Sequence, residues 1–165
     1  MWDNAEQGIT HRTLNRKRTI MVEKLRHREF IGYQVYAAHR ALSRSLEATL
    51  APYGLTPSQW NALNQLEENG AMTQKHLAEL LDKEPATVAR CLDGLEKRQL
   101  VERTPSPEDR RANIISITPE ASELLVKIEP TAVARADQIA AGITDKELHT
   151  FFDVLNKIMS NANEA

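Results

Sequence analysis

The stretch from Thr73 to Thr118 constrains the fold of this chain more than any other part of the sequence. Its pattern predicts a helix that begins after Thr73, a polar turn, a second helix from Pro85 to about Lys97, and two strands around a charged loop. Threonine is a good N-cap, and proline fits the first turn of a helix because its missing N–H would have no partner there. The order predicts a helix-turn-helix followed by a β-hairpin.

The second of these helices has two different sides. An apolar stripe is formed by Val88, Cys91, Leu92 and Leu95. The opposite side begins with small residues and one arginine, namely Pro85, Ala86, Thr87, Ala89 and Arg90. Small residues let a backbone approach a base edge closely, and an arginine can donate two hydrogen bonds to O6 and N7 of guanine. The pattern predicts a recognition helix for the major groove of double-stranded DNA.

The predicted hairpin ends in a basic tip. Its strands are predicted at 100–104 and 114–118, and the loop between them, 105–111, contains two prolines that cannot continue either strand. The tip holds Asp109, Arg110 and Arg111. Adjacent arginines at a hairpin tip can reach a phosphate or a narrow minor groove, and Asp109 can brace one of them through a bidentate pair. We therefore predict that this tip also contacts DNA.

These residues resemble the wing of MarR/SlyA-type winged helix-turn-helix transcriptional regulators. The resemblance is carried by the runs 100–103, 109–112 and 115–118, and by 92–98, which resembles the end of their recognition helix. It covers about Leu55 to Leu125 closely and the flanking helices loosely. Two positions depart from the family pattern. Glu108 stands where many members have a basic residue, and Gln99 replaces the glycine usual in the turn after the recognition helix.

The resemblance implies a homodimer with entwined terminal helices and two winged lobes, which would bind an inverted repeat in DNA. It also implies that a small aromatic or phenolic anion binds between the dimer layer and the lobes and weakens DNA binding. Aromatic surface with a cation suits such a ligand. The residues that we expect to form this wall are Tyr33, Tyr36, His39, Arg40 and Trp60. Ordinary packing and solvated charge are the alternative for these five side chains.

The expected fold is mainly α with a small β-wing: a winged helix-turn-helix plus N- and C-terminal dimerisation helices. We predict a tail over 1–21, a dimerisation helix over 22–52, the DNA-binding domain over 55–118 and dimerisation helices over 119–162. Pro130 predicts a kink or break between Ile128 and Thr131. Thr144 is expected to cap a last helix with a wide apolar face, which would form the dimer interface together with the N-terminal helix.

The net charge of −2 is an objection to DNA binding. Binding must then depend on where individual cations point, since the winged region is not basic overall. The cations expected to face DNA are Arg90, Lys97, Arg103, Arg110 and Arg111. The first helix of the motif is expected to contact a phosphate through Thr73, Gln74 and Lys75, where backbone N–H groups and a cation come together.

Composition excludes several other classes of protein. With 41% hydrophobic and 27% charged residues the chain is typical of a soluble globular protein, and it has no apolar run long enough for a membrane helix. The single cysteine excludes an internal disulfide and fits a reducing cytoplasm. The five histidines have no metal-ligand spacing, and no catalytic constellation or cofactor motif is present. We therefore expect no enzyme, no metal and no cofactor.

The sequence thus predicts a cytoplasmic, homodimeric DNA-binding transcriptional regulator, acting as a repressor by occupying an operator. Two alternatives stay open. One is a winged helix that binds a protein partner without DNA, which the near-neutral winged region favours slightly. The other is a thiol-based redox regulator using Cys91, although its place on the apolar stripe favours an inert core cysteine.

Overall fold

The computed structural model describes residues 31–107, 109 and 112–164, within two compact units, Met1–Ala48 and Thr49–Ala165. Residues 31–50 form helix α1, which crosses the boundary between the units. The predicted tail over 1–21 and the first part of the predicted N-terminal helix lie outside the described residues.

The second unit continues from the end of α1 through a short 3-10 helix, Ala51–Tyr53. It contains helices α2 (Pro57–Asn69), α3 (Gln74–Leu80), α4 (Pro85–Glu96), α5 (Pro119–Ala140) and α6 (Asp145–Asn163), and strands β1 (Met72–Thr73), β2 (Val101–Pro105) and β3 (Asn113–Ile117). The strands form one antiparallel sheet in the order β1-β3-β2. The predicted fold class, a mainly helical winged helix-turn-helix, is confirmed.

Four helices begin where the sequence predicts, because a threonine precedes each of them. The side chains of Thr56, Thr73, Thr118 and Thr144 each accept a hydrogen bond from the backbone N–H three residues further on. Such a bond satisfies one of the N–H groups that the first turn of a helix leaves without a partner. Proline in the first turn also begins α2, α4 and α5.

The sheet differs from the prediction in two respects. Met72 and Thr73 form an additional strand, β1, which pairs with Ile115 and Ile114 of β3. A two-residue strand is too short to show an alternating pattern, so it could not be predicted from the sequence. In addition, β2 extends to Pro105, which the sequence assigned to the loop. Proline is tolerated there because β2 is an edge strand and Pro105 is its last residue.

The core lies between helices α2, α3 and α4, the sheet and the first half of α5. Its largest fully buried side chains are Leu50, Leu63, Leu66, Leu77, Val88, Leu92, Leu95, Val101, Ile115 and Ile128. Each of them is exposed by no more than 1%. Three belong to α4, so this helix is held against the core by the stripe that the sequence predicts.

Helix α5 continues through Pro130, so the predicted break is wrong, while a kink at this residue stays a prediction. Proline removes one N–H donor, and the acceptor that loses its bond is the carbonyl of Val126, four residues earlier. Val126 is exposed, where water can replace the lost donor. The preceding turn is also anchored, because Ile128 is completely buried.

The 3-10 turn is connected both to α5 and to the end of α4. Arg98, just after α4, donates to the carbonyl oxygen of Gly54 over 2.6 Å and to that of Tyr53 over 3.0 Å. The Tyr53 hydroxyl lies 3.1 Å from Oγ1 of Thr131 in α5. Hydrogen bonds therefore connect the C-terminal end of α4 with the middle of α5 through a single turn.

Helix α6 is amphipathic, but it buries none of its residues. The rings of Phe151 and Phe152 lie 5.8 Å apart between centroids, tilted by 55°, and remain 53% and 55% exposed. In the part of the chain that the structure describes, no helix combines the length and the apolar character that crossing a membrane requires.

Candidate nucleic-acid interface

The first half of α4 presents the residues that the sequence assigns to the major groove. Pro85, Ala86, Thr87 and Arg90 are exposed, and Ala89 is half-buried. This arrangement follows from the helical period, because burial of the apolar stripe turns the small residues outwards. This face consists of small side chains and one exposed guanidinium, that of Arg90. Its contacts with DNA stay a prediction.

The Arg90 side chain is held only weakly by the protein. One of its terminal nitrogens lies 3.5 Å from Oγ1 of Thr87, at the outer limit of a hydrogen bond. Within the described residues no carboxylate lies at ion-pair distance from it. The sequence left open a pair between Arg90 and Asp93 or Glu84. Asp93 instead binds a different arginine.

That arginine is Arg103, which the sequence counted among the cations facing DNA, and this expectation is wrong. The Arg103 side chain is only 17% exposed, and it binds Asp93 over 2.7 Å and Glu96 over 2.5 Å. It also donates to the carbonyl oxygen of Ala89 over 3.2 Å. Burial lowers the pKa of Arg103, but its hydrogen bonds to the two carboxylates and their charges outweigh burial and raise it. Its positive charge is therefore compensated by two carboxylates of the protein itself.

The start of α3 leaves one cation accessible. Thr73 uses its hydroxyl as the N-cap and accepts the N–H of His76 over 3.1 Å. Lys75 is well exposed and lies 3.9 Å from Glu79, a surface pair of little energetic weight. Gln74 is half-buried between them. Phosphate binding by these three residues stays a prediction.

The wing loop is described only in part. The N–H of Ser106 donates to the carbonyl oxygen of Ala112, and the N–H of Ala112 to that of Asp109, both over 2.9 Å. These bonds close the loop, and Asp109 is exposed. Arg110 and Arg111, the predicted contacts to DNA, lie outside the described residues. The predicted brace between Asp109 and an arginine is therefore untested.

The residues predicted to hold an aromatic effector belong to different units. Tyr33, Tyr36, His39 and Arg40 lie on α1 in the first unit, where the guanidinium carbon of Arg40 is 5.8 Å from the centre of the Tyr36 ring. Trp60 belongs to the second unit and lines a cleft of about 480 Å³ between α2 and α5. That these five side chains form one site stays a prediction.

Cys91 is half-buried rather than fully buried as its stripe predicts. Burial raises the pKa of the Cys91 thiol. A raised pKa reduces the thiolate fraction, and the thiolate is the reactive form, so the environment disfavours a redox sensor. In the described part of the chain, no three His, Cys, Asp or Glu side chains cluster as metal ligands would.

Sequence reasoning missed the roles of Arg98 and Arg103. For Arg103 a signal existed: Asp93 and Glu96 lie one turn apart near the end of α4, and an arginine follows in the next strand. Acids at this spacing share a helix face and are suited to one guanidinium. For Arg98 no signal existed, because its acceptors are backbone carbonyls more than forty residues earlier.

Comparisons with known proteins agree with this geometry. Residues 55–112 match the model of the MarR family. An uncharacterised HTH-type transcriptional regulator of Bacillus subtilis, YhbI, is 37% identical over 110 residues, which cover 67% of this chain and 69% of the relative.

Two solved structures are similar in fold. A mutant of MarR from E. coli complexed with operator DNA has a TM-score of 0.73 at 22% identity and covers 77% of this chain and 91% of its own. Bordetella bronchiseptica BpsR, studied for the regulation of its DNA binding by 6-hydroxynicotinic acid, has a TM-score of 0.71 at 22% identity, with 78% and 98% covered. This chain belongs to the MarR family of transcriptional regulators.

Proposed function

We propose that this protein is a sequence-specific repressor that binds an inverted-repeat operator as a homodimer and is released by a small aromatic effector. The observation that carries the proposal is the outer face of α4. The N-terminal half of this face is exposed and carries small side chains, and Arg90 has no acidic partner there among the described residues. A guanidinium in this state can bind guanine without first breaking an ion pair.

The net charge of the chain is compatible with such binding. Arg103 neutralises Asp93 and Glu96, the two acids of α4 that follow Arg90. The two acids within α4 itself are thus compensated inside the protein. Affinity would then come from a few well-placed cations, which predicts modest non-specific binding; binding to DNA should still weaken steeply with salt, whereas an apolar protein contact should not.

The homodimer is supported by α6. Its exposed apolar side includes Phe151, Phe152 and Met159, each more than half exposed. Apolar surface of this extent on a soluble domain commonly marks a protein–protein interface. In a two-fold dimer two copies of α4 would contact half-sites about one DNA turn apart.

The effector is supported by the aromatic residues and by the family. Tyr36 with Arg40, and Trp60 in its cleft, provide aromatic surface. BpsR, whose DNA binding is regulated by an aromatic acid, has a similar fold. An effector that binds one dimer geometry better than another would shift the population away from the DNA-binding state.

Selection of bound DNA from a random pool tests the proposal most directly. The selected sequences should contain an inverted repeat. Arg90→Ala should weaken binding to that site by about 1–3 kcal/mol and relax preference at one base pair. Arg110→Ala should weaken binding to all sequences by a similar factor and lower the salt dependence.

Arg135→Ala is the matched control, since it removes the same charge from α5, where the Arg135 side chain donates to Gln138. It should leave operator affinity unchanged. Failure to enrich any sequence would contradict the proposal and favour the protein-interaction alternative. A titration in which aromatic acids never change operator affinity would remove only the effector.

A further inference from the structure

The Arg103 side chain connects strand β2 to helix α4 through three acceptors. From β2 its guanidinium reaches Ala89, Asp93 and Glu96, at 3.2, 2.7 and 2.5 Å. Positions 89, 93 and 96 follow at steps of four and three, so the three acceptors lie along one face of the helix. One planar side chain thus forms hydrogen bonds along two turns of α4.

The other end of this connection is the sheet. Arg103 is the central residue of β2, and it pairs with Ile115 of β3, which in turn pairs with Met72 of β1. Ile115 is completely buried. The arginine backbone is therefore fixed in the hairpin that carries the wing, while its side chain is fixed on the helix that carries Arg90.

We propose that Arg103 is a positioning residue for specific DNA binding, which fixes the angle between α4 and the wing hairpin so that both reach adjacent grooves together. The inference rests on the proposed function, because it assigns DNA contacts to α4 and to the wing. Arg103 itself touches no base or phosphate in this role. Its fork of donors suits three acceptors at once, which the single ammonium of a lysine cannot reproduce.

A positioning role and a direct phosphate contact predict different results. Loss of a phosphate contact weakens binding to every sequence and lowers the salt slope by about one contact. Loss of the correct angle weakens binding only where base edges must be met, and it leaves loose electrostatic binding intact. The ratio of specific to non-specific affinity distinguishes the two.

The experiment compares Arg103→Lys and Arg103→Met with wild type on the selected operator and on a scrambled duplex, over a series of salt concentrations. We expect the affinity ratio to fall about tenfold or more, the discrimination that one base contact provides. Arg103→Lys keeps the positive charge beside Asp93 and Glu96, so its affinity for the scrambled duplex should stay within about twofold, with an unchanged salt slope. Arg103→Met also leaves two negative charges uncompensated, so it should bind the scrambled duplex more weakly. Arg135→Lys is the control for a charge-conserving change elsewhere, and circular dichroism checks that each variant is folded.

A second variant, Asp93→Asn with Glu96→Gln, keeps the arginine and removes its partners. A positioning role predicts a reduced affinity ratio here too, although two negative charges are lost near the DNA. An affinity ratio above that of wild type in this variant, or an unchanged ratio in Arg103→Lys, would overturn the inference. Unchanged ratios in all variants would do the same, whereas absence of any specific site for wild type would contradict the proposed function instead.

Discussion

Helices α4 and α6 belong to the same compact unit and are both amphipathic, yet only α4 buries its apolar side within one chain. Its residues Val88, Leu92 and Leu95 are at most 1% exposed, while Phe151 and Phe152 of α6 are more than half exposed. Each helix shows an apolar stripe at helical spacing, but the stripe of α6 is the wider one, and it is the one that we expect from the sequence to form an interface.

The difference separates two sources of stability. The stripe of α4 is matched by α2, α3 and the sheet, so the winged region has its own core. The stripe of α6 finds no match among the described residues of its own chain, and it is the surface that a second copy would cover. The stability of α6 should therefore depend on protein concentration, and that of α4 should not.

The largest expected effect comes from removing the apolar side of α6. In Phe151→Glu with Phe152→Glu each protomer loses two side chains that would contribute about 1.5–3 kcal/mol each on burial. We expect a dimer to become a monomer in analytical ultracentrifugation while the winged region stays folded. Lys157→Glu, on the opposite side of α6, should leave the dimer intact. A double variant that remains dimeric would place the interface elsewhere.

The next effect concerns the core stripe of α4. Leu92→Ala should lower the free energy of unfolding by about 2–5 kcal/mol, because it leaves a cavity at a completely buried position. Leu80→Ala, at a side chain that is 43% exposed, is the control and should cost much less. In urea unfolding, Leu92→Ala should lower the free energy of unfolding by the same amount in the monomeric α6 variant as in the otherwise wild-type protein. A loss that vanishes in the monomer would mean that the winged region has no stability of its own.

A smaller effect, of opposite sign, is expected where α4 ends. Gln99 has a φ of 57°, in the left-handed region, while the N–H groups of Gln99 and Leu100 bond to the carbonyls of Glu96 and Leu95. This is the turn in which glycine is favoured. Gln99→Gly should raise the free energy of unfolding by about 1 kcal/mol.

Asp82, with a φ of 49°, offers a comparison, because aspartate tolerates this conformation better than glutamine. Asp82→Gly should therefore raise the free energy of unfolding by less than Gln99→Gly does, when both variants are measured by thermal unfolding. Destabilisation by Gln99→Gly would show that the glutamine side chain contributes contacts that outweigh its backbone strain.

The smallest effect is a pH dependence at the start of α6. Hydrogen bonds from the backbone and side chain of Thr144 lower the pKa of Glu147. A carboxyl whose pKa is lower in the folded state stabilises fully above its unfolded pKa of about 4.3, and this contribution is lost as pH falls through the folded pKa. The Tm difference between wild type and Glu147→Gln should therefore be constant near neutral pH and change below about pH 4.3. A difference that stays constant down to pH 2 would contradict the assignment.

Local features of the fold could be predicted from the sequence, and non-local ones could not. Thr56, Thr118 and Thr144 cap helices because capping depends on residues within one turn. The error at Arg103 has a different origin, since its partners Asp93 and Glu96 belong to another element. A positive charge in the sequence does not show whether it faces solvent or an acid.

The same limit explains the error at Pro130. Whether proline breaks a helix depends on what holds its two halves, and the burial of Ile128 is not a property of the local sequence. The candidate site was predictable as a face, because the period of α4 separates Arg90 from Leu92. That Arg90 has no acidic partner among the described residues was not predictable, because Asp93 pairs with Arg103 of a strand instead.

The hydrogen-bonded turn at Tyr53 and Gly54 has a mechanical consequence. Arg98 anchors one side of it and Thr131 the other, over distances of 2.6 to 3.1 Å. A displacement of α5 at Thr131 would either move the C-terminal end of α4 with it or break these hydrogen bonds. The turn therefore couples movements of α5 to α4 for as long as its hydrogen bonds hold.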